Sequence, residues 1–164
     1  MLFRSNIVAE SEGPGRGSCF TVTLPEIEAP EPEKHARSLD APKAHRILIV
    51  EDNVDSREML REWLEMSGHQ VSEAADGQSG LEAALKQRPD VALIDVGLPG
   101  IDGYEMARRV REALGNERMI LIALTGYGSP EDRRRSRAAG FDAHLVKPLN
   151  PALLDKVLVG DLPS

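Results

Sequence analysis

The chain has one cysteine, Cys19, so it has no disulfide framework, and a reducing, cytosolic compartment is the default expectation. It also lacks any long apolar stretch. The longest uninterrupted run, Met119 to Leu124, is far too short to span a bilayer, and nothing near the start reads as a signal peptide. Direct membrane contact is therefore not expected. Basic charge is the minority sign, with 20 Lys plus Arg against 27 Asp plus Glu and a formal net charge of -7. A nucleic-acid surface needs a basic stripe, so that class is disfavoured. An acidic surface suits a cation such as Mg²⁺ instead. His35, His45 and His69 show no metal-ligand spacing and are assigned no role.

What is present divides into three regions. Residues 1–25 carry Ile7-Val8-Ala9, then a glycine cluster from Gly13 to Gly17, then Phe20 to Leu24, a pattern of two strands around a glycine loop. Residues 26–45 are rich in Pro, Ala and Glu without an apolar period, which reads as an extended or disordered linker. Residues 46–160 are the structured domain, followed by a short tail at 161–164. At 41% hydrophobic content over 164 residues, the chain can build one ordinary core plus an extension.

Within that domain, strand-like runs alternate with segments of helical period. The runs are Arg46 to Val50, His69 to Ala74, Val91 to Ile94, Met119 to Leu124 and Ala143 to Val146. Asn53 can cap a first helix whose inward face is Val54, Leu60, Trp63 and Leu64. Asp76 caps a second, with Leu81, Ala84 and Leu85 inward. Asp102 and Glu105 have capping-box spacing, so Asp102 reads as a cap and not a metal ligand. Ser129-Pro130-Glu131-Asp132 and Asn150-Pro151 start the last two helices, the latter leading into Leu153, Leu154, Val157 and Leu158. Arg133-Arg134-Arg135 reads as a solvated helix face.

Such alternation implies βαβ units, a parallel sheet and right-handed crossovers that bring every strand's C-terminal end to one edge. Ligands of open sheets bind beyond those ends, where the strand order reverses. Glu51-Asp52, Asp95 and Thr125 each follow a strand run directly, and Lys147-Pro148 closes the last. The four pieces are expected to converge there. Three crowded carboxylates repel one another, and a hard divalent cation with oxygen ligands, Mg²⁺, relieves that repulsion.

Glu51-Asp52-Asn53, Asp95-Val96-Gly97-Leu98-Pro99 with Gly103, Leu124-Thr125-Gly126, and Ala139-Gly140-Phe141 leading to Lys147-Pro148 occur in order across the domain. The domain thereby resembles a receiver domain of two-component signalling. The resemblance implies a flavodoxin-like (βα)5 fold, a doubly wound parallel sheet with strand order 2-1-3-4-5. It implies Asp95 as phosphoacceptor from a phosphohistidine, with Lys147 and Thr125 assisting. Mg²⁺ is then held by Glu51, Asp52, Asp95 and the backbone carbonyl of Gly97. Thr125, His144 (where relatives place a switch aromatic) and Pro148, after a cis peptide, form the expected switch. Gly97 and Tyr127 occupy positions that tune dephosphorylation in the family. The implied activity is that of a phosphoacceptor assisting its own phosphotransfer and dephosphorylation, not that of a free-standing enzyme.

Residues 7–25 resemble the final hairpin of a histidine-kinase ATP-binding domain; a Rossmann loop does not fit, because a strand follows the glycines where that fingerprint needs a helix. The rest of the ATP site and the phosphorylated histidine have no counterpart in the sequence. A detached hairpin is marginal in water, so residues 1–45 are expected to be mobile. Together the pieces look like the distal part of a hybrid sensor histidine kinase. The implied partners are a histidine kinase core or a histidine phosphotransfer protein, and a homodimer through the fourth and fifth helices stays open. The alternative function is a phosphorylation-independent interaction module of the same fold. A haloacid-dehalogenase phosphatase fits worse, because Gly97 stands where that class has a second carboxylate.

Overall fold

The computed structural model describes residues 6–13, 15–23, 44–115, 118–126 and 128–159. Most of the expected linker, Tyr127 and the tail at 161–164 lie outside the described residues. Strands β1 (Asn6–Glu10) and β2 (Cys19–Thr23) pair antiparallel, with Ile7 opposite Val22 and Ala9 opposite Phe20. Between them Gly13, Gly15 and Gly17 adopt φ of 117°, 80° and 80°, backbone that residues with a Cβ rarely take. The segment after the glycines is a strand.

The second unit alternates strand and helix throughout: β3 (Arg46–Val50), α1 (Val54–Met66), β4 (Gln70–Ala74), α2 (Gly77–Gln87), β5 (Val91–Asp95), α3 (Gly103–Leu114), β6 (Ile120–Thr125), α4 (Pro130–Ala138), β7 (Ala143–Val146) and α5 (Pro151–Leu158). All strand pairs are parallel, in the order β4-β3-β5-β6-β7. Counted within the unit this is the 2-1-3-4-5 order, and it reverses between β3 and β5.

Each helix begins where a polar side chain satisfies orphan amide groups. Asn53 accepts from Ser56 N, Asp76 from Ser79 N, Asp102 from Glu105 N, Ser129 from Asp132 N and Asn150 from Ala152 N. Central strands are apolar on both faces because both faces are covered. Ile47 and Ile49 of β3 pack with Leu60 and Leu64 of α1 and with Leu154, Val157 and Leu158 of α5. Leu48 and Val50 face Ala84 of α2 and Met106, Ala107 and Val110 of α3.

Three details depart from the sequence reading. The helical period puts Val54 inward, but it is 53% exposed, and Leu153 of α5 is 39% exposed. Each lies in the first turn of its helix, beside the open end of the sheet. The Asp102 cap lacks the reciprocal half of a capping box, because the Glu105 carboxylate accepts from Arg108 and Arg109 instead. Arg135 is not merely solvated: its guanidinium sits 4.3 Å from the Tyr104 ring centroid, a cation–π contact.

Candidate functional site

The reversal point of the sheet lies between the C-terminal ends of β3 and β5, which present Glu51-Asp52 and Asp95. Glu51 extends β3, its N–H donating to Ala74 O at 3.1 Å, and its side chain is buried. Asp52 is exposed and Asp95 half-buried. Carboxylate oxygens of the three residues lie within 4.8 Å of one another. Asp95 closes β5, and its Oδ1 accepts from Gly97 N at 2.8 Å.

Lys147 reaches this cluster from the end of β7. Its Nζ donates to Asp95 Oδ2 at 2.6 Å and to Glu51 Oε2 at 2.5 Å, and the Lys147–Pro148 peptide is cis. Partial burial disfavours the ammonium charge, but the bonds to Asp95 and Glu51 outweigh it and hold the lysine above its ordinary value. Thr125, 2% exposed, ends β6 one residue beyond Leu124, which pairs with Asp95. Its Oγ1 lies 3.1 Å from His144 Nε2, while Ser136 Oγ lies 3.1 Å from His144 Nδ1. The imidazole thus joins the end of β6 to helix α4.

An all-oxygen set of three carboxylates suits a hard cation. Octahedral Mg²⁺ at about 2.0–2.1 Å from its ligands separates oxygens by about 4.2 Å at most, so the cluster fits after a small inward movement. Gly103 contributes by its lack of a side chain, since a Cβ there would strike the backbone of Asp95 and Val96. A cleft of about 720 Å³ opens beside the cluster between α1 and the start of α5, sharing Glu51 and Lys147 with it and otherwise lined mainly by apolar groups such as Met59, Trp63 and Leu149.

The family model described as "Response regulator receiver domain" matches residues 47–159. The chain belongs to this family. The receiver is 35% identical to the chemotaxis response regulator CheY4 of Vibrio cholerae, whose structure superposes with a TM-score of 0.66 and covers 71% of this chain and 97% of that one. The chain is 33% identical over 140 residues to the sensor protein EvgS of Escherichia coli strain K12, a match covering 83% of this chain and 12% of EvgS. The receiver domain of Ssk1 from Saccharomyces cerevisiae, solved together with the histidine phosphotransfer protein Ypd1, is 26% identical with a TM-score of 0.67, covering 71% of this chain and 87% of that one. The protein is thus a receiver domain of two-component signalling, a family of phosphoacceptors that bind Mg²⁺ at an acidic cluster and interact with histidine kinases and phosphotransfer proteins. No helix among the described residues is long and apolar enough to cross a membrane.

The structure brings Glu51, Asp52, Asp95 and Lys147 together, places Gly97 beside Asp95 through its N–H, and bonds Thr125 and His144 to each other at the neighbouring strand ends. Pro148 is exposed on the rim. Sequence reasoning missed Ser136 and Arg57. Arg57 falls three residues before the buried Leu60, near the side of α1 that faces the core, and a charge in that position calls for a polar partner.

Proposed function

We propose that the chain accepts a phosphoryl group from a phosphohistidine onto Asp95, as the receiver portion of a hybrid sensor kinase. One observation carries this reading: the Asp95 carboxylate stands at the sheet's reversal point, held by Lys147 Nζ at 2.6 Å and Gly97 N at 2.8 Å beside two further carboxylates. An oxygen of Asp95 attacks phosphorus in line. The P–O bond forms as the P–N bond breaks, and the electron pair leaves with the donor imidazole. The Lys147 ammonium, already on Asp95, neutralises phosphoryl oxygens as their charge redistributes. Glu51, Asp52, Asp95 and the Gly97 carbonyl would hold Mg²⁺, which would supply the same neutralisation. Thr125 turns its hydroxyl to the phosphoryl group, and His144 carries the change toward α4. Pro148 frames the lysine end of this switch. The domain assists transfer onto and off Asp95 and turns over no separate substrate.

The phosphorus must come within about 3 Å of the acceptor oxygen with the donor nitrogen in line behind it, so the protein carrying that nitrogen covers the rim of the site. The adjoining cleft shares Glu51 and Lys147 with that site and offers apolar contact through Met59 and Trp63, which supports a kinase core or phosphotransfer protein as partner. The EvgS match runs over 140 residues, longer than the segment 47–159. That extension and the glycine-looped hairpin support an upstream kinase ATP-binding domain of which β1 and β2 are the end.

Intact mass after incubation with acetyl phosphate, with and without Mg²⁺, tests the reading on wild type and Asp95→Asn. One added phosphoryl group requiring both Mg²⁺ and Asp95 is expected. No gain under conditions that trap acyl phosphates overturns it in favour of a phosphorylation-independent binding module.

A further inference from the structure

Glu51 is held at both ends of its backbone. Its N–H donates to Ala74 O at 3.1 Å, and its carbonyl accepts from Arg57 Nη1 at 2.7 Å. The Arg57 side chain, one turn into α1, is 16% exposed. Its Nε lies 3.5 Å from Glu73 Oε1 on β4, the residue preceding Ala74, and the other Glu73 oxygen lies 3.4 Å from Arg61 Nε. The planar guanidinium therefore spans a carboxylate of one strand and the terminal carbonyl of the next, a geometry its rigid fork suits and a lysine ammonium does not.

The two grips come from β4 and α1, and both act on the residue that begins the turn carrying Glu51 and Asp52. Without the guanidinium the Glu51 carbonyl loses its bond, and nothing in the Arg57–Glu73 pair then fixes how the turn leaves β3. We propose that Arg57, tethered by Glu73, is a positioning residue that sets the acid pair against Asp95 and so determines how tightly the cluster binds a divalent cation. This rests on the cation reading proposed above. Arg57 touches neither the phosphoryl group nor the cation; it acts through the backbone of Glu51. Two effects oppose each other when it is removed. Loss of a positive charge near the cluster favours cation binding by field alone, whereas loss of the backbone bond loosens two ligands. Removing the outer partners of metal ligands commonly weakens binding by tenfold or more, so positioning is expected to dominate.

The test is Mg²⁺ titration of the full chain by calorimetry for wild type, Arg57→Met and Arg57→Lys, alongside acetyl phosphate phosphorylation rates across Mg²⁺ concentration. Arg57→Met is expected to raise the Mg²⁺ dissociation constant about tenfold while the rate at saturating Mg²⁺ stays within about twofold of wild type. Arg57→Lys, with charge kept and the fork lost, falls between. A merely structural role lowers thermal stability without moving the dissociation constant. Met-variant binding as tight as wild type, or tighter, overturns the proposal. If that variant does not fold, a lysine variant indistinguishable from wild type does the same. Absence of Mg²⁺ binding by wild type overturns the underlying cation reading instead, so the two failures are distinguishable.

Discussion

Asp52→Asn is expected to stabilise the protein when divalent cations are chelated, and to remove the stabilisation that Mg²⁺ gives. The Asp52 carboxylate stands within 4.8 Å of those of Glu51 and Asp95. At that distance each like-charge pair costs about 0.9 kcal/mol with a water-like dielectric and about 3.5 kcal/mol at an effective value of 20. Asp52 is exposed, so the lower figure governs, and the two repulsions total about 2 kcal/mol. Against this, the N-terminal end of α1 favours a nearby carboxylate by about 0.3–1 kcal/mol. Lys147 offsets a further part, although its ammonium is bonded to the other two acids. The net gain on neutralising Asp52 is about 1 kcal/mol, or about 3–6 °C for a domain of this size. Thermal melts in EDTA at low ionic strength, repeated near 1 M salt, measure it. The difference should nearly vanish at high salt, where the screening length is about 3 Å. In excess Mg²⁺ the order should invert, because only wild type keeps the full ligand set. An Asp52→Asn protein no more stable than wild type in EDTA, or one whose advantage ignores salt, refutes the argument.

Ser136→Ala removes a buried hydroxyl bonded to His144 Nδ1 and to Asp132 O; a loss of about 1 kcal/mol in urea denaturation and altered ¹⁵N shifts of the His144 ring are expected. Gly103→Ala places a methyl against the backbone of Asp95 and Val96. It should cost about 1–3 kcal/mol and slow phosphorylation by acetyl phosphate. The Lys147 pKa is raised in the folded protein, so its stabilising contribution is complete below about 10.5, the unfolded value, and is lost as pH rises through the folded value. NMR titration of its side chain should show the folded value falling in Asp95→Asn, where burial meets less opposition.

Much of this architecture was legible locally. A helix cap depends on a side chain and an amide two or three residues away, and Asn53, Asp76, Asp102, Ser129 and Asn150 all cap as their positions predict. The meeting of the acid pair, Asp95 and Lys147 was legible for a different reason. Once strands are known to be parallel, their C-terminal residues must share one edge, whatever separates them in sequence. The exposure of Val54 and Leu153 was not legible, because period assigns a face to a residue but does not say where the covering layer ends. Arg135 over Tyr104 escaped for a related reason. The contact joins α4 to α3, and the angle between helices is set by packing.

The sequence by itself determined the order of elements, their caps, the edge on which the polar strand ends gather and the chemical types gathered there. These follow from short-range hydrogen bonding and from handedness, both encoded within a few residues. Only the tertiary structure decided that Lys147 bridges Glu51 and Asp95, that His144 links Thr125 to Ser136, and that Arg57 grips the carbonyl of Glu51. Those bonds join side chains from separate segments. Each forms within a few tenths of an ångström only after the layers have packed, and no spacing along the chain specifies that distance.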